Sequence, residues 1–89
     1  MADWRLQGQD RYLKGVALAK HRYKKPREDW DHDHCEFCSR KFSERPGDLN
    51  EGYVTADCYR WVCDDCYRDF KDAFGWTHFD GPCDPDRKR

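Results

Sequence analysis

The chain has 89 residues, with 17 Lys+Arg against 18 Asp+Glu, a formal charge of −1 and a hydrophobic fraction of only 37%. That length admits one domain, and the absence of any run of about 18 apolar residues predicts no membrane span. Aliphatic residues are scarce, with four Leu, three Val and no Ile, while 14 aromatics and six Cys stand in for them. A chain so poor in aliphatic side chains needs something besides a large apolar core to fold around.

In chain order, the first 27 residues hold eight basic and two acidic side chains, followed at 28–38 by five acids and no Lys or Arg. Such asymmetry is one mark of a nucleic-acid arm, but the adjacent charges and a pI near 6.4 favour neutralisation within the fold. Asp3 is placed to cap a short helix through Leu6, Tyr12 and Leu13, stopped by Gly15. Residues 16–23 then alternate as a strand, with Ala17, Ala19, His21 and Tyr23 on one face and His21 exposed. A continuous helix over about 9–25 competes, and the Gly15 interruption decides for the strand.

Cysteines fall at 35, 38, 58, 63, 66 and 83, and two pairs have CxxC spacing, Cys35–Cys38 and Cys63–Cys66, separated by 24 residues. The start Met1-Ala2-Asp3-Trp4-Arg5 lacks the apolar segment of an export signal, which points to a reducing cytoplasm where disulfides seldom persist. Each CxxC turn brings two sulfurs close enough to share one tetrahedral ion, so Cys35, Cys38, Cys63 and Cys66 are predicted to hold one structural Zn²⁺. A thioredoxin-like couple would need a longer alternating strand–helix chain. Rubredoxin-type iron is the rival metal, and the flanks Ser39-Arg40 and Tyr67-Arg68, without glycine, favour zinc. Cys58 and Cys83 lack CxxC spacing and are expected to be free thiols. Cys58-x4-Cys63 is a poorer alternative ligand pair.

After the first knuckle, which Phe37 and Phe42 are expected to cover, Glu44–Asp48 is turn-rich. Residues 52–56 and 59–63 read as a hairpin broken near Asp57. Asp64 and Asp65 suit a helix first turn, Cys66/Tyr67, Phe70 and Ala73/Phe74 recur at helical steps, and Gly75 is a stop, predicting a helix over about 64–74. The helix N-terminus is expected to favour the thiolates of Cys63 and Cys66. Trp76, His78 and Phe79 are expected to pack over the helix end, with 84–89 frayed.

The order of knuckle, hairpin and a second CxxC opening a helix resembles the treble-clef zinc finger over residues 35–74. The resemblance implies an α+β domain built round a closed four-thiolate site. The expected organisation is an N-terminal extension (1–34) packing on the finger (35–79), then a flexible tail (80–89).

Before the first knuckle lies Trp30-Asp31-His32-Asp33-His34-Cys35. Its DHDH phrase resembles that of phage-type recombination endonucleases of the His-Asn-His group. In that family the phrase lies between the two CxxC pairs, and a His or Asn follows on the helix. Here it precedes both pairs, residues 39–62 contain no His, and 64–74 contain neither His nor Asn, so the nuclease geometry is missing. Strand alternation instead puts His32 and His34 on one side, in support of the site or as a substitute ligand. A second metal site from His32, His34 and a carboxylate or Cys83 ranks lower. The whole chain is also similar to small bacterial zinc-binding proteins with a WDHDHCEFC-like core, which implies a stand-alone zinc protein with no activity attached. The expected function is a structural zinc-binding scaffold for a protein partner, with Trp4, Tyr12, Trp30 and Trp76 as available aromatics. A nucleic-acid-binding finger using the basic arm is the alternative, and an enzyme is not expected.

Overall fold

A computed structural model describes residues 5–24 and 32–84. The elements are a one-turn helix α1 (Asp10–Leu13), strands β1 (Ala17–Arg22), β2 (Asp33–His34), β3 (Lys41–Phe42), β4 (Glu51–Thr55) and β5 (Trp61–Val62), helix α2 (Asp64–Phe74) and strand β6 (Thr77–His78). The class is mixed α+β. α1 is shorter than expected and follows Gln9, and its expected cap, Asp3, lies outside the described residues. Gly15 takes φ 75°, a conformation glycine adopts without steric cost. There the chain turns from helix into β1, and Gly15 N–H donates to Phe74 O at 2.7 Å.

β5, β4, β1 and β6 form a four-stranded sheet in that order, while β2 and β3 form a separate two-stranded ribbon. β1 runs antiparallel to β4 and parallel to β6, so the strand from the N-terminal third is central. Register places Ala19, Val54 and Trp61 across from one another, and Lys20, Tyr53 and Val62 likewise. Since alternate residues face opposite ways, these are the two faces of the sheet. α2 lies over the second face: Tyr67 stacks on Tyr53 with centroids 3.5 Å apart, and Lys20 reaches Asp64 at 3.3 Å. The first face carries Trp61, packed against Tyr23 (4.9 Å) and Phe42 (5.4 Å). Phe42 comes so close that a Cβ on Gly52 would lie 2.6 Å from its ring and 2.9 Å from Val62 O. Any side chain there would force the Phe42 ring or the β5 backbone to shift. Aromatic rings fill the volume that aliphatic side chains fill in other cores.

The ribbon shields the sheet edge. Cys35 bridges Trp61, and Glu36 N–H donates to Trp61 O at 2.9 Å, which occupies the outer side of β5. α2 ends where the sequence places its stop: Gly75 adopts a left-handed φ of 64°, and its N–H bonds Lys71 O. Trp76 then turns back under the helix, donating from Nε1 to Leu13 O at 2.8 Å with its ring on Phe74 (5.3 Å) and Tyr67 (5.5 Å). It packs over the helix end as expected, and this removes it from the aromatics available to a partner. Trp4 and Trp30 lie outside the described residues, and Tyr12 is exposed.

Two further expectations are corrected at the opposite end. Cys58 and Cys83 are joined as a disulfide with Cα atoms 5.2 Å apart, so neither is a free thiol and Cys58 is no alternative metal ligand. Cys58 sits in the β4–β5 turn at φ 61°, and Asp84 N–H bonds Ala56 O at 2.7 Å, bringing the returning chain alongside that turn. Spacing along the sequence carries no trace of this return. His21 is half-buried rather than exposed, its Nε2 3.0 Å from Gly81 O and its ring 6.0 Å from Phe79. Among the described residues, no helix is long and apolar enough to cross a membrane.

Candidate metal centre

Two local structures deliver the four sulfurs. The first CxxC caps the β2–β3 ribbon. Cys35 N–H bonds Arg40 O (2.8 Å) and Ser39 N–H bonds Cys35 O (3.1 Å), closing a tight turn with Cys35 and Cys38 on its inner side. Ser39 completes the turn at φ 66°, taking the left-handed conformation usually left to glycine. The missing glycine therefore discriminates less between zinc and iron than the sequence implied. The second CxxC starts α2. Cys63 is the cap residue with extended backbone, and Cys66 lies in the first turn, one step further round the helix.

The sulfurs of Cys35, Cys38, Cys63 and Cys66 all lie within 4.8 Å of one another, and Cys38 and Cys63 approach to 3.6 Å. Zn–S bonds of about 2.3 Å in a tetrahedron require sulfur separations of about 3.8 Å. A disulfide requires about 2.05 Å, and all four thiols are free. The donor set therefore fits one tetrahedral, thiophilic cation. Cys35, Cys63 and Cys66 are buried, and Cys38 is partly exposed.

Cys35, Cys63 and Cys66 do not ionise alike. Cys35 is pulled down to about 4, chiefly by the hydrogen bond from the Cys63 thiol and against the effect of its own burial. The peptide N–H groups of Cys63 (3.4 Å) and Phe37 (3.5 Å) add to this. Cys63 is pushed up, first by that same shared hydrogen bond and then by burial. Burial, followed by the charge on Cys35, pushes Cys66 up to about 12. The helix N-terminus is thus not the only source of N–H groups at the cluster, since the first knuckle also offers them. Close sulfurs compete for one negative charge, and the knuckle with the most N–H donors holds it. Only a cation lets all four ionise together, which is what a metal supplies.

Two arginines flank the cluster. Arg5 Nη1 lies 3.5 Å from Cys66 Sγ. Arg40, paired with Asp65 at 3.0 Å, has its pKa raised first by that bond and then by the sulfurs of Cys63 and Cys38. Behind the first knuckle Phe37 stacks on Phe70 (4.8 Å) and meets Phe74 edge-on, so it covers the site as expected. Phe42 instead serves the opposite face of the sheet.

His32 and His34 stand side by side, ring centroids 4.8 Å apart and perpendicular, as strand alternation predicts. Neither belongs to the sulfur cluster, and among the described residues no third His, Cys, Asp or Glu joins them at metal-binding distance. Asp33 is engaged by the Tyr23 hydroxyl at 2.8 Å, and Asp31 lies outside the described residues. Sequence reasoning missed Arg5 and Gln9 as neighbours of the site. Both approach from more than 20 residues away, with no local spacing to reveal them. Comparison of the chain with protein-family models, curated proteins and solved structures finds no match.

Proposed function

We propose that the protein is a structural zinc-binding module of treble-clef type, acting as a scaffold for a protein partner rather than as an enzyme. One observation carries the reading: four reduced sulfurs, from a ribbon tip and a helix start, gathered to tetrahedral spacing. Four thiolates close the coordination shell and leave no position for a water or substrate, the pattern of structural rather than catalytic zinc. The knuckle on a two-residue-stranded ribbon, the β4–β5 hairpin and the second CxxC opening α2 support the treble-clef assignment. The cytoplasm is the proposed compartment, on the strength of the four reduced thiols. The Cys58–Cys83 pair is the one whose oxidation runs against that setting.

A partner surface is supported by the exposed large apolar side chains Leu6, Tyr12 and Tyr59. Arg60 lies between the last two, its guanidinium 3.9 Å from the Tyr12 ring and 5.0 Å from Tyr59. Tyrosine and arginine are the residue types that dominate binding energy at protein interfaces. The nucleic-acid alternative draws less support. Arg5, Lys20, Arg40, Arg60 and Arg68 are each paired with a carboxylate, which opposes phosphate binding.

Elemental analysis tests the core of the reading. Wild type is expected to carry one equivalent of zinc, Cys35→Ser and Cys63→Ser to lose it, and Cys58→Ser and Cys83→Ser to keep it. Two equivalents in wild type, or retention by Cys35→Ser, would refute the single-site reading.

A further inference from the structure

The segment ahead of α1 touches both halves of the sulfur cluster. Gln9 is only 4% exposed. Its Nε2 donates to Arg5 O at 2.7 Å and to Glu36 O at 2.9 Å, while its Oε1 accepts the Gln7 N–H at 2.6 Å. One buried amide thus fastens residues 5–9 to the first CxxC turn, inside which Glu36 lies. From that anchor Arg5 extends to the second turn. Its Nη1 is 3.5 Å from Cys66 Sγ and 3.1 Å from Asp69 Oδ2, and its guanidinium carbon is 4.5 Å from the centroid of the Phe70 ring. The Arg5 side chain is 18% exposed. A guanidinium held by a carboxylate and a ring face has little freedom left, so its bond to sulfur costs little further ordering.

The chemistry gives this contact a purpose. Four thiolates around a divalent cation leave a net double negative charge in a largely buried place, and buried charge is costly unless compensated. Cys35 receives peptide N–H groups; Cys66 receives the guanidinium. A charge-assisted N–H···S bond withdraws electron density from the sulfur and lowers its appeal to protons and electrophiles, the competitors that strip a thiolate from its metal.

We infer that Arg5 is a positioning residue of the metal centre: it bonds the Cys66 sulfur and holds it on the cation, with Gln9 as the tether that keeps Arg5 in reach. The N-terminal segment is then part of the site. This rests on the reading of the four cysteines as a metal centre.

The test uses the full chain as wild type, Arg5→Met, which keeps length and packing on Phe70 without donors, and Arg5→Lys, which restores the charge without the planar fork. Three quantities are read: the rate of zinc transfer to a chromophoric chelator, the energy of the thiolate-to-metal absorption band after cobalt(II) substitution, and the order in which the cysteines are alkylated. Arg5→Met is expected to keep one equivalent of metal but release it roughly 10–100-fold faster, the usual range for an outer-shell partner. Its cobalt band should move to lower energy, because an unbonded sulfur is a better electron donor, and Cys66 should become the first site of alkylation. Arg5→Lys should fall between. An unshifted band with a wild-type release rate overturns the inference. So does faster release with an unshifted band and alkylation spread over all four cysteines, since that pattern marks general loosening. If Arg5→Met does not fold, Arg5→Lys is compared with wild type alone: faster release together with a band at lower energy supports the inference, and no change in either overturns it. Wild type that binds neither zinc nor cobalt would instead overturn the metal centre itself.

Discussion

Six cysteines of one chain end in two different chemical states. At one end, Cys35, Cys38, Cys63 and Cys66 converge as free thiols with no pair closer than hydrogen-bond distance; at the other, Cys58 and Cys83 are bonded. The residue type is the same, so the backbone makes the difference. A CxxC turn fixes two sulfurs by local geometry and leaves them pointing at a shared centre. Cys58, on a hairpin turn, and Cys83, on a returning segment, meet one to one, where only a bond between them satisfies both.

The two cross-links should differ sharply in what they contribute. Chelating the metal is expected to abolish the near-UV circular dichroism of the packed aromatics, because structural zinc adds on the order of 10 kcal/mol or more to folding in small domains. Opening Cys58–Cys83, which are 25 residues apart in sequence, removes a chain constraint of about 3 kcal/mol. The Cys58→Ser/Cys83→Ser double variant should therefore keep its spectrum and its zinc while melting at a lower temperature. A chelated protein with an intact spectrum would reverse the ranking of the two.

A smaller effect probes the ground between them. Gly52→Ala drives a methyl group into the Phe42 ring and Val62 O, an overpacking cost of about 1–3 kcal/mol. Since that contact joins the ribbon bearing the first knuckle to the sheet, the melting temperature should drop by about 5–15 °C. Metal content at room temperature should stay unchanged.

The smallest effect concerns Glu36, inside the first CxxC turn. Burial raises its carboxyl pKa, against the Arg60 guanidinium at 3.3 Å. A folded-state pKa above the unfolded value means that stability is fully present below the unfolded pKa and is lost as pH rises through the folded one. Ionised Glu36 is thus a net cost at neutral pH. Glu36→Gln should raise the melting temperature of the zinc-loaded protein by less than about 3 °C at pH 7.5, with the gain shrinking toward pH 5. A lowered melting temperature at pH 7.5 would show that the Arg60 ion pair outweighs the burial.

What was legible in the sequence was local. The two CxxC turns, the helix ending at Gly75, the hairpin broken near Asp57 and the strand after Gly15 all follow from spacing and turn chemistry within a few residues, and the structure contains each. What was not legible depends on chain segments meeting from afar. Cys83 reaches Cys58 only because β6 and the following residues fold back along the sheet. Trp76 is legible as an aromatic at the helix end, but its indole bond to Leu13, 63 residues away, is not. The Cys63 N–H that meets the Cys35 sulfur comes from 28 residues away and escapes local spacing for the same reason. The helix dipole at Cys63 and Cys66 is visible in the sequence, but the N–H groups gathered at Cys35 are not.

Trp61 offers a built-in optical reporter. Its indole is 1% exposed, pressed between Tyr23 and Phe42, and its Nε1 has no hydrogen-bond partner among the described residues. An indole shielded from water and unbonded emits at short wavelength. Because its own backbone is bridged to Cys35, loosening of the sulfur cluster should let water in and shift its share of the emission from the chain's four Trp to the red, so metal loss can be followed in real time without any attached dye.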